Sequence, residues 1–328
     1  MSGSYLGQVR ALRRTAQAGV GAFGLSGKLS FIHHGENTTW RLKGNDGEFL
    51  IRIHRPGYQT ESTIRSELLW LLALNASGIG APVPQMSVDG DWIAKSSGPA
   101  QEERIITCTQ WVKGRMMGRR VTDDMFRATG RTLATLHEQA AGFEPPEGFE
   151  RKVLDMDGLF GDEPVMGGSL ELVPAELRNL FEDTQEALRS RIALHGKTPS
   201  TFSLIHADLH YRNVVFQGSG TEVKALPIDF DDAAFGYLAY DLAVTLGPLE
   251  RFYPDVNSRE LVLEGYRSER ELIPEIEAMI DHFGVVRMMT ITLWVLGRHD
   301  HPHFVKRAPA QLEDARRVFL KYKDKNLG

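Results

Sequence analysis

The segment "LIHADLHYRNVVF", Leu204 to Phe216, contains more polar side chains than a core strand tolerates. Two histidines, an aspartate, an arginine and an asparagine stand among leucine, isoleucine, valine and phenylalanine. Polar side chains in an apolar segment cost free energy unless they are paired or serve a chemical purpose. The segment therefore indicates a functional site, and the elements on either side of it decide the fold.

Three side chains in and after this segment suit phosphoryl transfer. Asp208 precedes Asn213 by five residues, and Asp229 follows sixteen residues after Asn213, inside "PIDFDDA". A carboxylate can accept the proton of an attacking hydroxyl, while an amide oxygen and a second carboxylate can hold Mg²⁺ against nucleotide phosphates. Protein kinases use the same D-x-x-x-x-N spacing. Alone this spacing is a weak signal, because it occurs by chance in many proteins.

The histidines of the segment permit another interpretation. His206 and His210 alternate with Asp208, so in an extended strand all three would face one side, an arrangement that also suits a transition metal in a hydrolase. A purely structural role, as turn formers or caps, is the remaining alternative for Asp208, Asn213 and Asp229. The residues before the segment favour phosphoryl transfer over both alternatives.

A cation and a glutamate precede the segment in the order that kinases use. "EFLIRIH" places Arg52 inside a predicted strand, and Glu67 lies on the following amphipathic helix, whose apolar residues recur at helical spacing from Ile64 to Leu72. Kinases pair a strand cation with a helix glutamate beside the α- and β-phosphates. The loop "HGENTT", residues 34–39, lies between the first two predicted strands, where a phosphate-covering loop belongs.

The order of the predicted elements indicates the architecture. Three short strands, "KLSFIH", "TWRLKG" and "EFLIRIH", precede that helix, and "DWIAKS" and "ERIITCTQWV" add two more strands before Val112. Helical patterns dominate after "VKG", beginning with "TDDMFRATGRTLATLHEQA", for which Thr122 is the predicted N-cap. A β-rich part followed by an α-rich part is an α+β arrangement. We expect two lobes, residues 1–112 and 113–328, joined by a hinge.

Composition and charge exclude several classes of protein. The chain has 328 residues, 42% of them hydrophobic and 25% charged, which is a globular composition. The single cysteine cannot form an internal disulfide, which favours a reducing, cytoplasmic setting. The first residues lack the apolar core of a signal peptide, and the longest apolar run, "LLWLLAL", is too short to span a bilayer. The net charge of −5 argues against broad binding of nucleic acid.

Taken together, "LIHADLHYRNVVF" and "LPIDFDDAAFGYLAYDLAVTL" resemble the aminoglycoside phosphotransferase family, a kinase-like group that also includes choline kinases. "GENTTWRL", "FLIRIHRPG", "GRTLATLH" and "WVLGRHDHPHFVKRAP" are similar to strings at corresponding places in such proteins, so the resemblance covers nearly the whole chain. Two of these strings lean toward the branch of stress response kinase A and homoserine kinase of the second type. The resemblance implies a bilobal protein-kinase-like fold, with ATP and Mg²⁺ as cofactors.

The resemblance also implies roles for individual residues. Asp208 would be the catalytic base, and Asn213 and Asp229 would be the magnesium ligands. Asp241, in "YDLA", would brace the catalytic loop without touching substrate. His137, in "TLATLHEQA", is expected to be a hydrogen-bonded core histidine rather than a ligand.

The nucleotide side of the predicted site departs from the family pattern. Arg52 stands where many relatives have lysine, and with Glu67 it would form the phosphate-positioning pair, although arginine and lysine differ in geometry. The loop "HGENTT" has one glycine, so phosphate contact would come from backbone amides and from side chains such as Asn37 and Thr38. Arg212 occupies a place often held by a small residue, from which it would reach substrate or phosphate.

The acceptor is predicted to be a small hydroxylated molecule. Only eleven residues separate Asp229 from Asp241, too few for the long activation loop by which protein kinases hold peptides. Acidic residues of "LDMDGLFGDEP", residues 154–164, would receive a cationic amino alcohol or aminoglycoside, or else form an exposed acidic loop. A serine/threonine protein kinase of the stress-response type and a nucleotide-binding module without catalysis are the alternative functions.

Overall fold

The computed structural model describes residues 5–162, 164–165, 167–299 and 302–326. Along the chain its helices and strands are α1 (Tyr5–Ala22), β1 (Lys28–His34), β2 (Thr38–Gly44), β3 (Gly47–Ile53), α2 (Glu61–Ala76), β4 (Ala94–Ser97), β5 (Glu103–Gln110), β6 (Arg115–Met116), α3 (Asp123–Ala141), β7 (Lys152–Leu154), α4 (Met156–Phe160), α5 (Ala175–His195), β8 (Phe202–Ile205), β9 (Val214–Gln217), β10 (Lys224–Pro227), β11 (Ala234–Tyr237), α6 (Leu238–Phe252), α7 (Ser258–Arg267), α8 (Pro274–Leu296) and α9 (Pro302–Asn326).

The first five strands form one antiparallel sheet in the order β1-β2-β3-β5-β4. Arg52 of β3 lies opposite Thr39 of β2 and Thr107 of β5. Because side chains alternate along a strand, Ile51 and Ile53 point to one face of the sheet and Arg52 points to the other. The five predicted strands are confirmed, and their pairing places Arg52 in the middle of the sheet.

Helix α1 covers one face of this sheet, which the sequence analysis did not predict. Leu12, Ala16 and Val20 of α1 belong to one buried cluster with Leu42 and Ile51 of the sheet. Val9, Leu12, Ala16 and Val20 recur at helical spacing, so the sequence contains a helical pattern that the prediction did not use. The covered face carries the aliphatic side chains, so the face that carries Arg52 is left for the site.

Helix α2 begins where the sequence predicts. The Thr60 hydroxyl accepts a hydrogen bond from the Thr63 backbone amide at 3.1 Å, which satisfies one of the unpaired donors of the first turn. Its buried side carries Ile64, Leu68 and Leu71, as the predicted helical spacing requires. Glu67 lies between them and is only 5% exposed. A buried glutamate requires a partner, because an isolated buried charge is costly.

The second part of the chain is mainly helical and contains two three-stranded sheets, β10-β9-β6 and β7-β11-β8. Helix α3 follows the predicted cap residue Thr122, although the Thr122 hydroxyl makes no capping hydrogen bond. Helices α3 and α7 touch through glycines: a Cβ at Gly130 would overlap the Val262 carbonyl, and one at Gly265 the Arg127 carbonyl. The α+β class is confirmed, and the division into lobes at residue 112 stays a prediction.

Helix α8 is the one described helix that is long and apolar enough to cross a membrane by length and composition. More than half of its apolar window, 56%, is buried inside the protein, as in the core helix of a globular domain, and α8 packs against α6 and α9. One such helix is a weak indication of a membrane span. Arg287 is the only charged residue between Asp281 and Arg298, so it stands alone in this apolar helix.

Candidate active site

Asp208 and Asn213 meet in a tight loop between β8 and β9. The Asn213 backbone amide donates to the His210 carbonyl at 2.8 Å, which turns the chain back on itself. The Asn213 side-chain amide then donates to the backbone carbonyl of Asp208 at 2.9 Å and to Asp208 Oδ2 at 3.1 Å. The five-residue spacing in the sequence therefore places a carboxylate and an amide side by side.

Asp241 holds the start of this loop from the first turn of α6. Its Oδ2 accepts the His206 backbone amide at 2.9 Å, and its Oδ1 accepts the Ala207 amide at 2.8 Å. Ala207 has a φ of +63°, a left-handed conformation that costs a non-glycine residue about 1–2 kcal/mol. The fully buried Asp241 offsets that cost, so the predicted bracing is confirmed. His137 Nε2 lies 3.2 Å from Asp241 Oδ2 and its Nδ1 lies 2.9 Å from the Tyr266 hydroxyl, as expected of a core histidine.

The two histidines beside Asp208 do not form a transition-metal site with it. His206 is fully buried, its Nε2 bonds to the Ile228 carbonyl at 3.1 Å, and its Nδ1 accepts the Asp208 backbone amide at 3.4 Å. His210 Nε2 remains 3.8 Å from Asp208 Oδ2. Within the described part of the chain, no group of three histidine, cysteine, aspartate or glutamate side chains is arranged to hold a metal ion.

Arg52 joins two carboxylates from opposite ends of the chain. Its Nη1 donates to Glu67 Oε1 at 2.9 Å, and its Nη2 donates to Asp229 Oδ1 at 2.7 Å. Burial opposes the charge of this guanidinium, but the attraction of Glu67 and Asp229 outweighs it and raises the pKa of Arg52 above its usual value. The structure thus assembles the predicted Arg52–Glu67 pair and adds Asp229 to it.

Asp229 is held beside the catalytic loop by the backbone. The amide of Ile228 donates to the Asn213 carbonyl at 2.9 Å. Asp229 itself has a φ of +68°, and its side chain is 49% exposed. Strained backbone of this kind concentrates at functional sites. The half-exposed carboxylate is therefore accessible to a ligand, and it follows directly after the residue that bonds to the Asn213 backbone.

The donor set beside Asp229 fits a divalent cation. The Asn213 amide nitrogen is engaged with Asp208, which leaves the amide oxygen for another partner. Mg²⁺ is commonly held by one or two carboxylates together with waters and substrate phosphates, so a cage of three protein ligands is not required. Asn213 and Asp229 together supply one amide oxygen and one carboxylate, the two oxygen types that such an ion prefers.

The side chains of Asn37 and Thr38, both predicted to contact phosphate, bond within the protein. Asn37 Nδ2 donates to Asp231 Oδ2 at 3.0 Å, and its Oδ1 accepts the Arg55 backbone amide at 3.2 Å. Thr38 is 3% exposed, and its hydroxyl lies 2.7 Å from His34 Nδ1. These bonds shape the loop. The structure therefore brings the loop to the site, but with both side chains already paired.

Glu36, at the tip of the same loop, pairs with two arginines, Arg55 and Arg298, in an arrangement that we call the clasp and that was not predicted from the sequence. Its Oε2 accepts a hydrogen bond from Arg55 at 3.1 Å, and its Oε1 accepts two from Arg298, directly after the end of α8. The Arg298 guanidinium stacks on the Trp294 ring at 4.0 Å. The loop between β1 and β2 is thereby tied to the helical part of the chain.

Two further aspartates after Asp229, Asp231 and Asp232, bond to residues of loops that adjoin strands of the five-stranded sheet. Asp231 accepts from Asn37, and Asp232 Oδ1 accepts the Tyr58 hydroxyl at 3.1 Å. Burial and then neighbouring carboxylates raise the pKa of Asp231 well above its usual range, and the pKa of Asp232 is raised for the same reasons. The guanidinium of Arg151 donates to four backbone carbonyls, those of Thr63, Phe230, Asp231 and Ala233.

Arg287 of α8 reaches the predicted base. One Nη donates to Asp208 Oδ1, and the other donates to the Tyr240 hydroxyl at 3.1 Å. Arg287 was not predicted from the sequence, although its isolation in an apolar helix was a usable signal, because a mostly buried charge requires a partner. Arg212, by contrast, is exposed and donates to the Tyr211 hydroxyl at 3.1 Å.

The acidic segment predicted to receive a cationic acceptor borders a cavity, and its role as an acceptor site stays a prediction. Asp155, Asp157 and Asp162 line a cavity of about 730 Å³, whose wall contains none of the predicted site residues. Asp155 is paired with Lys197 at 2.7 Å. Glu163, also part of that prediction, lies outside the described residues.

Comparison with known proteins identifies relatives of this arrangement. The model of the phosphotransferase enzyme family matches residues 28–275, a range that includes Arg52, Glu67 and both ends of the catalytic loop. A homoserine kinase of Gluconobacter oxydans is 27% identical over 282 residues, which cover 79% of this chain and 79% of that protein.

Solved structures share the fold. A microcompartment-associated aminopropanol kinase superimposes with a TM-score of 0.85 and 28% identity, covering 96% of this chain and 98% of that one. An amicoumacin kinase, solved with AMP-PNP, Ca²⁺ and its substrate, superimposes with a TM-score of 0.74 and 18% identity, covering 89% of this chain and 88% of that one. The predicted kinase-like fold is confirmed.

Proposed function

The chain belongs to the phosphotransferase enzyme family, and we propose on that premise that it transfers the γ-phosphate of Mg-ATP to a small acceptor with Asp208 as the base. It is a kinase-type phosphotransferase that acts on a hydroxyl group. Asp208 accepts the hydroxyl proton while the acceptor oxygen bonds to the γ-phosphorus and the bond to the departing ADP oxygen breaks. Its carboxylate lies on a loop whose geometry is held by Asp241.

A single observation carries this proposal: Asp208, Asn213 and Asp229 converge, and Arg52 bonds to Asp229 and Glu67 together. Asn213 and Asp229 are the proposed ligands of Mg²⁺, which when bound neutralises charge on the phosphates. Arg52, positioned by Glu67, is the cation beside the phosphates. A site of this composition suits phosphoryl transfer, because that reaction depends mainly on positioning and electrostatic stabilisation.

The loop before β2 covers the phosphates through its backbone. Asn37 and Thr38 act by shaping this loop, since their side chains bond to Asp231 and His34. Residues 1–112 form the nucleotide-covering lobe in this proposal, and residues 113–328 carry the base, the metal ligands and the acceptor site. The contact between Asn37 and Asp231 joins the two.

The proposed acceptor is an amino alcohol, a homoserine-like hydroxy amino acid or an aminoglycoside-like molecule. Among the relatives named above are a homoserine kinase and an aminopropanol kinase, and their names support a small acceptor here. Neither name denotes a protein kinase, so a protein substrate is not part of the proposal.

The test is transfer of labelled γ-phosphate from Mg-ATP by the purified protein, across homoserine, threonine, choline, aminopropanol and aminoglycosides. Asp208→Asn is the negative control, and omission of the divalent cation is the second. Labelling of one acceptor that is lost in both controls would support the proposal. Full transfer by Asp208→Asn would remove Asp208 as the base, and ATP binding without any transfer would favour a non-catalytic module.

A further inference from the structure

Arg287 is a mostly buried cation in contact with the proposed base, and no role in phosphoryl transfer has yet been assigned to it. Its side chain is 15% exposed, and it donates to Asp208 Oδ1 and to the Tyr240 hydroxyl. Asn213 bonds to the other oxygen of the same carboxylate at 3.1 Å. Both oxygens of the base are therefore hydrogen-bonded before any acceptor is present.

One face of α8 runs from the base to the phosphate-covering loop. Arg287, Ile291 and Trp294 follow the spacing i, i+4 and i+7, which places them on one side of the helix, and all three are partly exposed. Arg287 contacts Asp208, and Arg298, two residues beyond the end of α8 at Leu296, contacts Glu36. An acceptor with its hydroxyl at Asp208 would lie against this wall.

The guanidinium of Arg287 has capacity for a further ligand. An arginine carries five N–H donors in a planar fork that matches a carboxylate or a phosphate. Two of these donors bond to Asp208 and Tyr240, and the other three make no hydrogen bond to any described residue. Tyr240 is fully buried, so its hydroxyl orients the fork toward the base.

The contact between Arg287 and Asp208 competes with catalysis. An acceptor hydroxyl must approach the base to within about 2.6–3.2 Å to deliver its proton. Arg287 already donates to Oδ1 and Asn213 to Oδ2, so the hydroxyl must share an oxygen whose basicity these donors lower. Productive binding is easiest when the acceptor itself offers the guanidinium a better partner.

We propose that the acceptor carries an anionic group, a carboxylate in the simplest case, and that Arg287 is the residue that selects it. Binding of the acceptor carboxylate draws the guanidinium away from Asp208, which frees Oδ1 for the acceptor hydroxyl. Asp232, whose Oδ1 accepts the Tyr58 hydroxyl, offers its second carboxylate oxygen to a cationic group on the same acceptor. This inference rests on the proposed function of the same site and adds the chemical class of its acceptor.

Pairs of acceptors that differ only by a carboxylate test the proposal. Homoserine and 3-aminopropan-1-ol form one pair, and threonine and 1-aminopropan-2-ol form the other. The native enzyme is expected to favour the acid of each pair in kcat/KM by at least about tenfold, and Arg287→Gln is expected to lower kcat/KM for the acids by about 10- to 100-fold, the range of one charge-assisted contact. For the amino alcohols, which carry no group that draws Arg287 away from Asp208, the same variant should not lower kcat/KM.

Two further variants distinguish selection of the acceptor carboxylate by Arg287 from a purely structural role of Arg287 in the loop that contains Asp208. Tyr240→Phe removes the hydroxyl that orients Arg287 but leaves Asp208 intact, so a smaller loss confined to the acids is expected. Arg316→Gln, an exposed arginine on α9, is the matched control. If Arg287 only anchors the catalytic loop, Arg287→Gln will lower both members of each pair equally, and that result overturns the proposal.

Calorimetry with acceptor analogues that lack the hydroxyl tests carboxylate binding independently of phosphate transfer, and so independently of the proposed function. 2-Aminobutyrate and propylamine match the homoserine pair but cannot be phosphorylated on oxygen. Binding of 2-aminobutyrate that is lost in Arg287→Gln supports the inference even if no acceptor is phosphorylated, in which case the proposed function alone fails. Three results overturn the inference: equal binding of both analogues, no binding of either, and preferred transfer to the amino alcohols. None of them decides the proposed phosphotransferase activity, which has its own test.

Discussion

Arg52 and Asp229, 177 residues apart in the chain, share a hydrogen bond of 2.7 Å. Arg52 lies in the middle of the five-stranded sheet, and Asp229 follows β10 in the helical part of the molecule. Their contact joins the proposed phosphate cation to the proposed metal ligand. The same guanidinium holds Glu67, so one side chain sets the relative position of three charged groups.

The first prediction concerns the base. Asp208→Asn is expected to lower kcat by about 10²–10⁴-fold, because the amide cannot accept the hydroxyl proton, while the dissociation constant for ATP stays within a few-fold of the native value. Labelled phosphate transfer and calorimetric nucleotide binding measure the two quantities. Asp324→Asn, on the exposed end of α9, is the matched control. Equal loss of ATP affinity and turnover would point to a folding defect.

The second prediction concerns Arg52. Arg52→Met is expected to destabilise the fold by about 3–5 kcal/mol, because Glu67 is left as a buried charge without its partner. Arg52→Lys keeps one positive charge but loses the fork that bonds two carboxylates, so the KM for ATP should rise while most of the stability returns. Chemical denaturation and ATP titration distinguish the variants. An Arg52→Lys enzyme with native KM would show that the fork is not needed.

The third prediction concerns the brace of the catalytic loop. Asp241→Asn replaces one oxygen with an NH₂ group that faces a backbone amide, so at least one of the two charge-assisted bonds is lost. Unfolding free energy is expected to fall by about 2–3 kcal/mol, and turnover should fall with it. Urea denaturation measures the unfolding free energy, and labelled phosphate transfer measures turnover. Normal turnover in a destabilised variant would show that the loop keeps its geometry without this brace.

The fourth prediction concerns the clasp at Glu36. Glu36→Gln removes the charge that attracts Arg55 and Arg298. Arg55 is largely exposed, so its pair should contribute under about 1 kcal/mol. Arg298 and Glu36 are only 22% and 18% exposed, so weakening their charge-assisted contact should cost about 1.5–3 kcal/mol. Cleavage of residues 34–39 by protease should become faster, and the KM for ATP should change. Unaltered cleavage and KM would mean that the clasp does not hold the loop.

The fifth prediction concerns pH. The pKa of Asp231 in the folded protein is raised well above 3.8, so the folded state holds its proton to a higher pH than the unfolded chain. Stability should therefore fall as the pH rises from about 4 through the raised pKa. Asp231→Asn keeps an oxygen for the Asn37 amide, and it should be more stable than the native protein at neutral pH and lose that slope. Denaturant unfolding from acidic to neutral pH measures this, and an unchanged slope would assign the effect to another group.

Local patterns in the sequence were sufficient for most of the architecture. Strand alternation and helical spacing predicted the five strands and α2, because those periods follow from backbone geometry and need no distant contact. Helix α1 was not predicted, although Leu12, Ala16 and Val20 recur at helical spacing, and the sheet beneath the helix confirms which side is buried.

Sequence alone also predicted the contact inside the loop between β8 and β9. The spacing of Asp208 and Asn213 is short enough for a single turn to bring the two side chains together, whatever surrounds them. The pairing of Arg52 with Glu67 was predictable because a strand cation and a buried helix acid each need a partner.

Only the tertiary structure decided which of several possible partners each polar side chain takes. Asn37 bonds to Asp231, and Arg287 bonds to Asp208, across 194 and 79 residues of sequence. The order of residues in a sequence does not give the spatial distance between such distant residues. Each of these side chains had several polar side chains as possible partners. Packing of α8 and of the sheet against the catalytic loop made the choice, because a buried charge is stable only beside the partner that packing places within reach.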